Sequence, residues 1–261
     1  MTDRATSSTL RGVVSVSRDP LSARPDRGAI FRSSWPVRTG DIHPDQSLRL
    51  DAIARYLQDI AFDDLDASGA HERHPVWVVR RTVIDVIEPI RWPATVHLSR
   101  WCSALSSRWC TMRVRLESSE GGLVETEGFW ININPANGMP SRISDEFMAP
   151  LSTTAQEQRL TWRPWLDSVA PQIPGTAFAL RASDIDPFGH LNNAIYWQPV
   201  EELLRPDPRV VPGRSRGVVE YGKPILFGDA VDMRSVREKG SATSWFLVDD
   251  TVCATAHFMT I

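Results

Sequence analysis

The sequence predicts an α+β protein made of two copies of one unit, each a curved antiparallel sheet wrapped round a single long helix, packed together as a pseudo-dimer. Three observations predict it. The stretch D-I-H-P-D-Q-S-L from Asp41 to Leu48 lines up with D-I-D-P-F-G-H-L from Asp184 to Leu191, 143 residues on, and four of the eight positions are identical. E-P-I-R-W-P-A-T-V from Glu88 to Val96 lines up with K-P-I-L-F-G-D-A-V from Lys223 to Val231, 135 residues on. Both matches fall in the same order around a helical segment and lead into short alternating runs, and two collinear matches outweigh the turn-forming residues in either one. One shorter loop accounts for the change of offset.

Residues 1–28 mix Ser, Arg, Asp and Pro and are expected to form a disordered tail. A first domain is expected over residues 29–148. Within it Leu50, Ile53, Ala54, Leu57, Ile60, Ala61 and Leu65 recur at spacings of three and four, the apolar face of a helix from Leu50 to Leu65. Runs from Trp77 to Val86, Thr95 to Leu105, Thr111 to Leu116 and Leu123 to Ile133 read as strands. Met112, Val114 and Leu116 face one way and Arg113 and Arg115 the other, as on a half-buried strand. Gly121-Gly122 supplies a hairpin turn. Residues 149–175, rich in Pro, Ser and Thr with Trp162 and Trp165 among them, read as a linker laid on the surface, and residues 176–261 as the second domain. A sheet on one helix leaves a face and an edge open, and pairing the halves side by side covers both.

With 261 residues and 42% apolar content the chain is long enough to fold unaided. Its net charge of −3 gives no field that would draw in nucleic acid or an anionic membrane. Cys102, Cys110 and Cys253 show no metal-ligand spacing and read as buried thiols of a reducing compartment. No apolar run suits a secretory signal or a membrane span, so a cytoplasmic location is expected. His71 and His74 are bracketed by Gly69 and Pro75 and read as a surface loop. No metal and no cofactor is expected.

The most specific segment is S-D-I-D-P-F-G-H-L-N-N-A-I-Y-W-Q-P-V-E-E, from Ser183 to Glu202. A strand is expected to end near Ala182, a Pro-Phe-Gly turn to follow, and a helix to start near Asn192-Asn193. An acid, a histidine and a helix start therefore meet at one loop. The first amides of a helix have no internal partners and suit the oxygen of a carbonyl as it becomes an oxyanion.

The pattern D-x-D-x-x-G-H-x-N-N-x-x-Y resembles the loop of hot-dog-fold thioesterases. With L-x-x-x-A-R-Y-L-Q-D-x-A from Leu50 and W-V-V-R-R from Trp77, the chain from about residue 30 to residue 261 resembles the acyl-acyl-carrier-protein thioesterases of bacteria and plants. The resemblance implies two tandem hot-dog domains and hydrolysis of fatty acyl thioesters presented by acyl carrier protein or coenzyme A. It implies Asp186, His190 and Asn192 as catalytic residues and Gly189, Asn193 and Tyr196 as substrate-binding residues. Two positions depart from the plant pattern: Phe188 stands for an asparagine and Pro224 for a glutamate. Asp186 itself is then expected to act as general base or nucleophile, while helix-start amides polarise the carbonyl and His190 and Asn192 order water and acyl group. In the first half the same register holds His43, Ser47 and Arg49, so one active site per chain is expected, with the first half as scaffold and part of the acyl pocket.

Blander roles stand beside these. Asp186 also suits a turn cap, and His190 a structural hydrogen bond. Glu201 and Glu202 follow Pro199, and at least one is expected on a solvated face; Gln58 and Asp59 are their first-half counterparts. The tryptophans at 77, 101, 109, 130 and 245 fall in strand runs and suit a core or acyl-tunnel lining. Arg80, Arg81 and Arg91 suit either an acidic carrier protein or exposed strand positions. Two rival functions keep the fold: an enoyl-thioester hydratase or dehydratase, and a non-catalytic acyl-binding module. Acyl chain length and further pairing of the fused unit into a homodimer stay open.

Overall fold

The computed structural model describes residues 16–204 and 213–261. The first half runs β1 (Phe31–Pro36), α1 (Leu50–Ala67), β2 (Trp77–Glu88), β3 (Thr95–Leu105), β4 (Trp109–Ser118) and β5 (Leu123–Asn132). A short helix α2 (Asp145–Ser152) follows. The second half repeats the order as β6 (Thr176–Phe178), α3 (Trp197–Leu204), β7 (Ser215–Tyr221), β8 (Val231–Glu238), β9 (Ser241–Val248) and β10 (Thr251–Thr260). The strands join in one antiparallel sheet, β1-β3-β4-β5-β2-β7-β10-β9-β8-β6. Read inward from each end the two halves are the same, so this is a tandem hot-dog with its internal edges closed against each other at β2 and β7.

The seam reveals the symmetry. Val83 pairs with Val218, which is its own counterpart 135 residues on, so a pseudo-dyad passes through that pair. On one side Arg81 meets Glu220 at 3.0 Å, and on the other Arg216 meets Asp85 at 2.6 and 2.5 Å. Each arginine is the dyad mate of the other, as is each acid. On the helix-facing side the core is continuous, with Ile53, Leu57 and Ile60 of α1, Leu98 and Leu116 of the first half, and Trp197, Val219 and Phe246 of the second.

The helices are unequal. α1 keeps its apolar face for 18 residues and stops where Gly69 takes the left-handed conformation at φ 64. The second helix was expected from Asn192-Asn193, but regular α-helix begins at Trp197. Pro199 has no N–H to give to Ile195 O. Gln198 N serves that carbonyl at 3.1 Å instead, and the turns from Asn192 to Trp197 are of the tighter i to i+3 kind. The strand expected to end near Ala182 stops at Phe178, and Ala182–Asp184 is a 3-10 turn.

The outer face of the sheet is not left to solvent. The expected tail includes residues 1–15, which lie outside the described residues, but residues 16–28 are not disordered: Ser17 O and Asp19 O accept from Arg216, and Ser22 accepts from Arg113. Val16 and Leu21 pack with Val83, Val218 and Leu166. On the dyad-related side Trp165 N and Leu166 N donate to Glu220, while Trp165 lies 3.8 Å beneath the Arg81 guanidinium. Arg113, expected on an open strand face, is therefore 0% exposed and bonds Glu125 at 2.8 Å. Buried arginines need their donors matched, and these two segments supply the carbonyls that match them. The three cysteines are buried and free. Among the described residues no helix is long and apolar enough to cross a membrane, and no cluster of metal-ligating side chains forms.

Candidate active site

The loop before α3 is shaped by its own backbone. Asp186 N donates to His190 O at 2.8 Å, Gly189 N to Asp186 O at 2.9 Å and Asn192 N to Asp184 O at 2.8 Å. The first half repeats each bond 143 residues earlier, from His43 N to Ser47 O, Gln46 N to His43 O and Arg49 N to Asp41 O. The loops follow one path and differ only in what they present. Gly189 occupies the left-handed region at φ 81 without steric cost, whereas its counterpart Gln46 is held there at φ 67.

Asp186 is half-buried. Its Oδ1 accepts from Phe188 N at 2.9 Å and His190 N at 3.0 Å, so one oxygen does cap the turn; among the described residues no hydrogen bond engages Oδ2. The His190 ring, also half-buried, likewise has no hydrogen-bond partner among them. Asn192 Oδ1 accepts from Ala194 N at 2.9 Å, the expected cap of the first turn. The same carboxamide reaches across the dyad to α1: Gln58 Nε2 donates to Asn192 Oδ1 at 3.0 Å, and Asn192 Nδ2 to Gln58 Oε1 at 3.3 Å. Asn193 O accepts from the Tyr221 hydroxyl at 3.1 Å, while Asn193 N has no hydrogen bond among the described residues. Tyr196 is in the core, edge-on to Tyr221 and Phe246 at 5.3 and 5.1 Å. Burial pushes its hydroxyl pKa well above the ordinary tyrosine range, with smaller contributions from Tyr221, Cys253 and Asp186.

The dyad mate of Gln58 is Glu201, and it behaves differently. Its buried carboxylate, on α3, crosses to the first half, where Oε1 accepts from Leu50 N at 2.9 Å and meets His43 Nε2 at 2.8 Å. Leu50 N is the first amide of α1 and the counterpart of Asn193 N. The first half thus holds a carboxylate oxygen on its helix start. Asp59 and Glu202, mates of each other, are both exposed.

A cavity of about 450 Å³, counting its mouth, lies between the halves under α1. Leu57 and Gln58 of α1, Thr82, Arg100, Met112 and Trp130 across the first-half sheet, and Asn193 and Tyr221 of the second half line it. Asp186 and His190 are not in its wall. A hollow of about 470 Å³ sits at the dyad-related position, where Leu50, Glu201, Val86 and Phe258 replace Asn193, Gln58, Tyr221 and Gly128. Size does not separate the two. The backbone amide at this position does: Leu50 N is filled by Glu201, while Asn193 N has no hydrogen bond among the described residues. Sequence reading left Gln58 unassigned and missed Arg100; the only signal for the latter was its even parity with Val96 and Leu98 in β3.

The tandem hot-dog brings a carboxylate, an imidazole and an unbonded backbone amide to one loop, and its likeness to known proteins puts it in the class of thioester hydrolases. Residues 28–151 match the acyl-ACP thioesterase N-terminal domain and residues 172–255 the C-terminal domain, and the chain belongs to the acyl-ACP thioesterase family. It is 44% identical over 238 residues to an uncharacterized protein of Mycobacterium tuberculosis, spanning 90% of this chain and 94% of that protein. Among solved structures it is similar to an acyl-ACP thioesterase of Bacteroides thetaiotaomicron, with a TM-score of 0.74 at 15% identity over 88% of this chain and 97% of that one. It is also similar to the 12:0-ACP thioesterase of Umbellularia californica, with a TM-score of 0.69 at 18% identity over 89% and 97%.

Proposed function

We propose that the second-half loop hydrolyses fatty acyl thioesters, chiefly those of acyl carrier protein, and releases the free fatty acid. The observation that carries this reading is Glu201 Oε1 on Leu50 N at 2.9 Å: a negative oxygen rests on a helix-start amide of this same fold. Where Gln58 replaces that glutamate, Asn193 N, in the tight turns that lead into α3, is open to the oxygen of a thioester carbonyl and donates to it as charge develops. Asp186, as general base, takes a proton from water as the water oxygen adds to the carbonyl carbon. Collapse of the oxyanion breaks the C–S bond, and the thiolate leaves with the proton that Asp186 held. Acting as nucleophile instead, the carboxylate adds to the carbonyl carbon, the C–S bond breaks as the thiolate leaves, and water opens the resulting acyl anhydride to give the free acid and restore Asp186. His190 and Asn192 order water and the acyl head, Gly189 lets the loop turn, and Tyr196 backs it from the core. The chain enters the cavity under α1, which makes the first domain, residues 29–148, a scaffold and acyl pocket for the second, residues 176–261. Phe188 and Pro224 are no obstacle to a scheme in which Asp186 itself acts.

The test is a panel of acyl lengths on carrier protein and coenzyme A with the parent and Asp186→Asn. Turnover is expected to fall about a hundredfold or more, the usual contribution of a general base, with the melting temperature unchanged. Parent-rate hydrolysis by the variant sinks the assignment. An added enoyl-thioester arm that loses its chromophore without free thiol would point to hydration instead.

A further inference from the structure

The cavity wall carries a charge for which a plain hydrocarbon chain has no use. In β3 the side chains of Val96, Leu98, Arg100 and Cys102 alternate onto one side, and Val96 and Leu98 belong to the main core under α1. Arg100 shares their side and is 8% exposed. It lines the cavity with Gln58, Thr82 and Thr126. Its guanidinium meets Asp64 of α1 through Nη1 and makes no other hydrogen bond among the described residues. Most of the donors an arginine carries are thus unmatched by protein. Methylene groups laid against them would leave those donors desolvated and unpaired, whereas a chain bearing an oxygen there would pair them.

The position of that oxygen follows from α1. Gln58, beside the loop, and Asp64, beside Arg100, are six residues apart, or about 9 Å along the axis at ~1.5 Å per residue. An extended chain advances about 3.3–3.6 Å per three bonds, so Arg100 meets an acyl chain roughly eight bonds from its carbonyl. Asp64 already neutralises the guanidinium, and its side chain is only 26% exposed. A second carboxylate would add uncompensated charge, so a neutral acceptor fits.

We propose that the substrates are acyl thioesters whose chain carries a hydroxyl or keto oxygen about eight bonds from the thioester, and that Arg100 is the specificity-determining residue that binds it. This rests on the second-half loop being the hydrolytic site. The test compares octanoyl and 8-hydroxyoctanoyl thioesters of carrier protein and coenzyme A on the parent and on Arg100→Met. In the parent, kcat/KM is expected to favour the hydroxylated chain about tenfold or more, the scale of a hydrogen bond to a charged group, and in the variant that ratio falls to about one. Equal kcat/KM for the two chains in the parent, which needs no variant to fold, overturns the proposal, as does a ratio that survives in Arg100→Met. Calorimetric binding of octyl and 8-hydroxyoctyl coenzyme A thioethers reads the preference without turnover. Tighter binding of the hydroxylated thioether with no thioester hydrolysed refutes the hydrolase reading and upholds Arg100; hydrolysis without preference does the reverse.

Discussion

If the second-half loop is the hydrolytic site, replacing Gln58 by glutamate should give it the filled amide of the first half. In the first half the carboxylate at the equivalent helical position reaches Leu50 N at 2.9 Å. Glutamate and glutamine have the same length, so a carboxylate at position 58 would fall on Asn193 N, the amide proposed above to receive the thioester carbonyl oxygen. Loss of one oxyanion donor costs a factor of roughly 10² to 10³ in turnover, or about 3–4 kcal/mol of barrier. Gln58→Ala provides the comparison. It removes only the paired bonds to Asn192 at 3.0 and 3.3 Å, each worth about 1 kcal/mol, and should cost about thirtyfold at most. Steady-state kcat and KM on one acyl thioester, with melting temperatures for all three proteins, decide the matter. If Gln58→Glu turns over as fast as Gln58→Ala, the open amide is not where the carbonyl docks.

Glu201→Ala strips Leu50 N and His43 of a shared buried acceptor and should lower stability by about 2–4 kcal/mol, read from the urea midpoint; an unchanged midpoint would mean that the crossing contact stabilises nothing. At Gly217 an added Cβ would lie 2.5 Å from the Trp197 ring, which is wholly buried and has nowhere to swing. Gly217→Ala should therefore cost about 1–3 kcal/mol of overpacking, visible as a lower melting temperature. His257 is buried and, among the described residues, meets only Thr243, at 2.8 Å on Nδ1; burial depresses its pKa from 6.5 to about 4. The unfolded chain binds that proton first as the pH falls, so stability is lost between about pH 6.5 and 4, by about 3 kcal/mol. Urea midpoints of the parent and His257→Gln at pH 7.5 and 4.5 check this, and an equal slope in the variant would assign the pH dependence elsewhere.

Much of this molecule could be read from the chain. α1 begins at Leu50 as its three-and-four spacing predicts, and β3 runs from Thr95 to Leu105 as expected. The two matches at offsets of 143 and 135 locate loops that share the backbone bonds which shape them, from His43 N, Gln46 N and Arg49 N in one and Asp186 N, Gly189 N and Asn192 N in the other. Residues 16–28 were misread because their composition offers little to bury, yet they supply carbonyls to Arg113 and Arg216, a demand that arises only when the sheet has formed. Arg113 was misread for the same reason, since parity names the side of a strand and not what covers it.

By itself the sequence determined α1 and the strands β2 to β5, that the unit occurs twice, and which copy of the loop bears aspartate, histidine and asparagine. Those properties are local or repeat at a fixed interval, and periodicity reports them directly. Only the tertiary structure decided that Gln58 holds Asn192 from 134 residues away, that Glu201 closes the first helix start from 151 residues away, and that Arg100 lines the cavity between the halves. Such contacts exist because a dyad brings distant segments together at one seam, and no spacing along the chain encodes which residue a neighbour across that seam will meet.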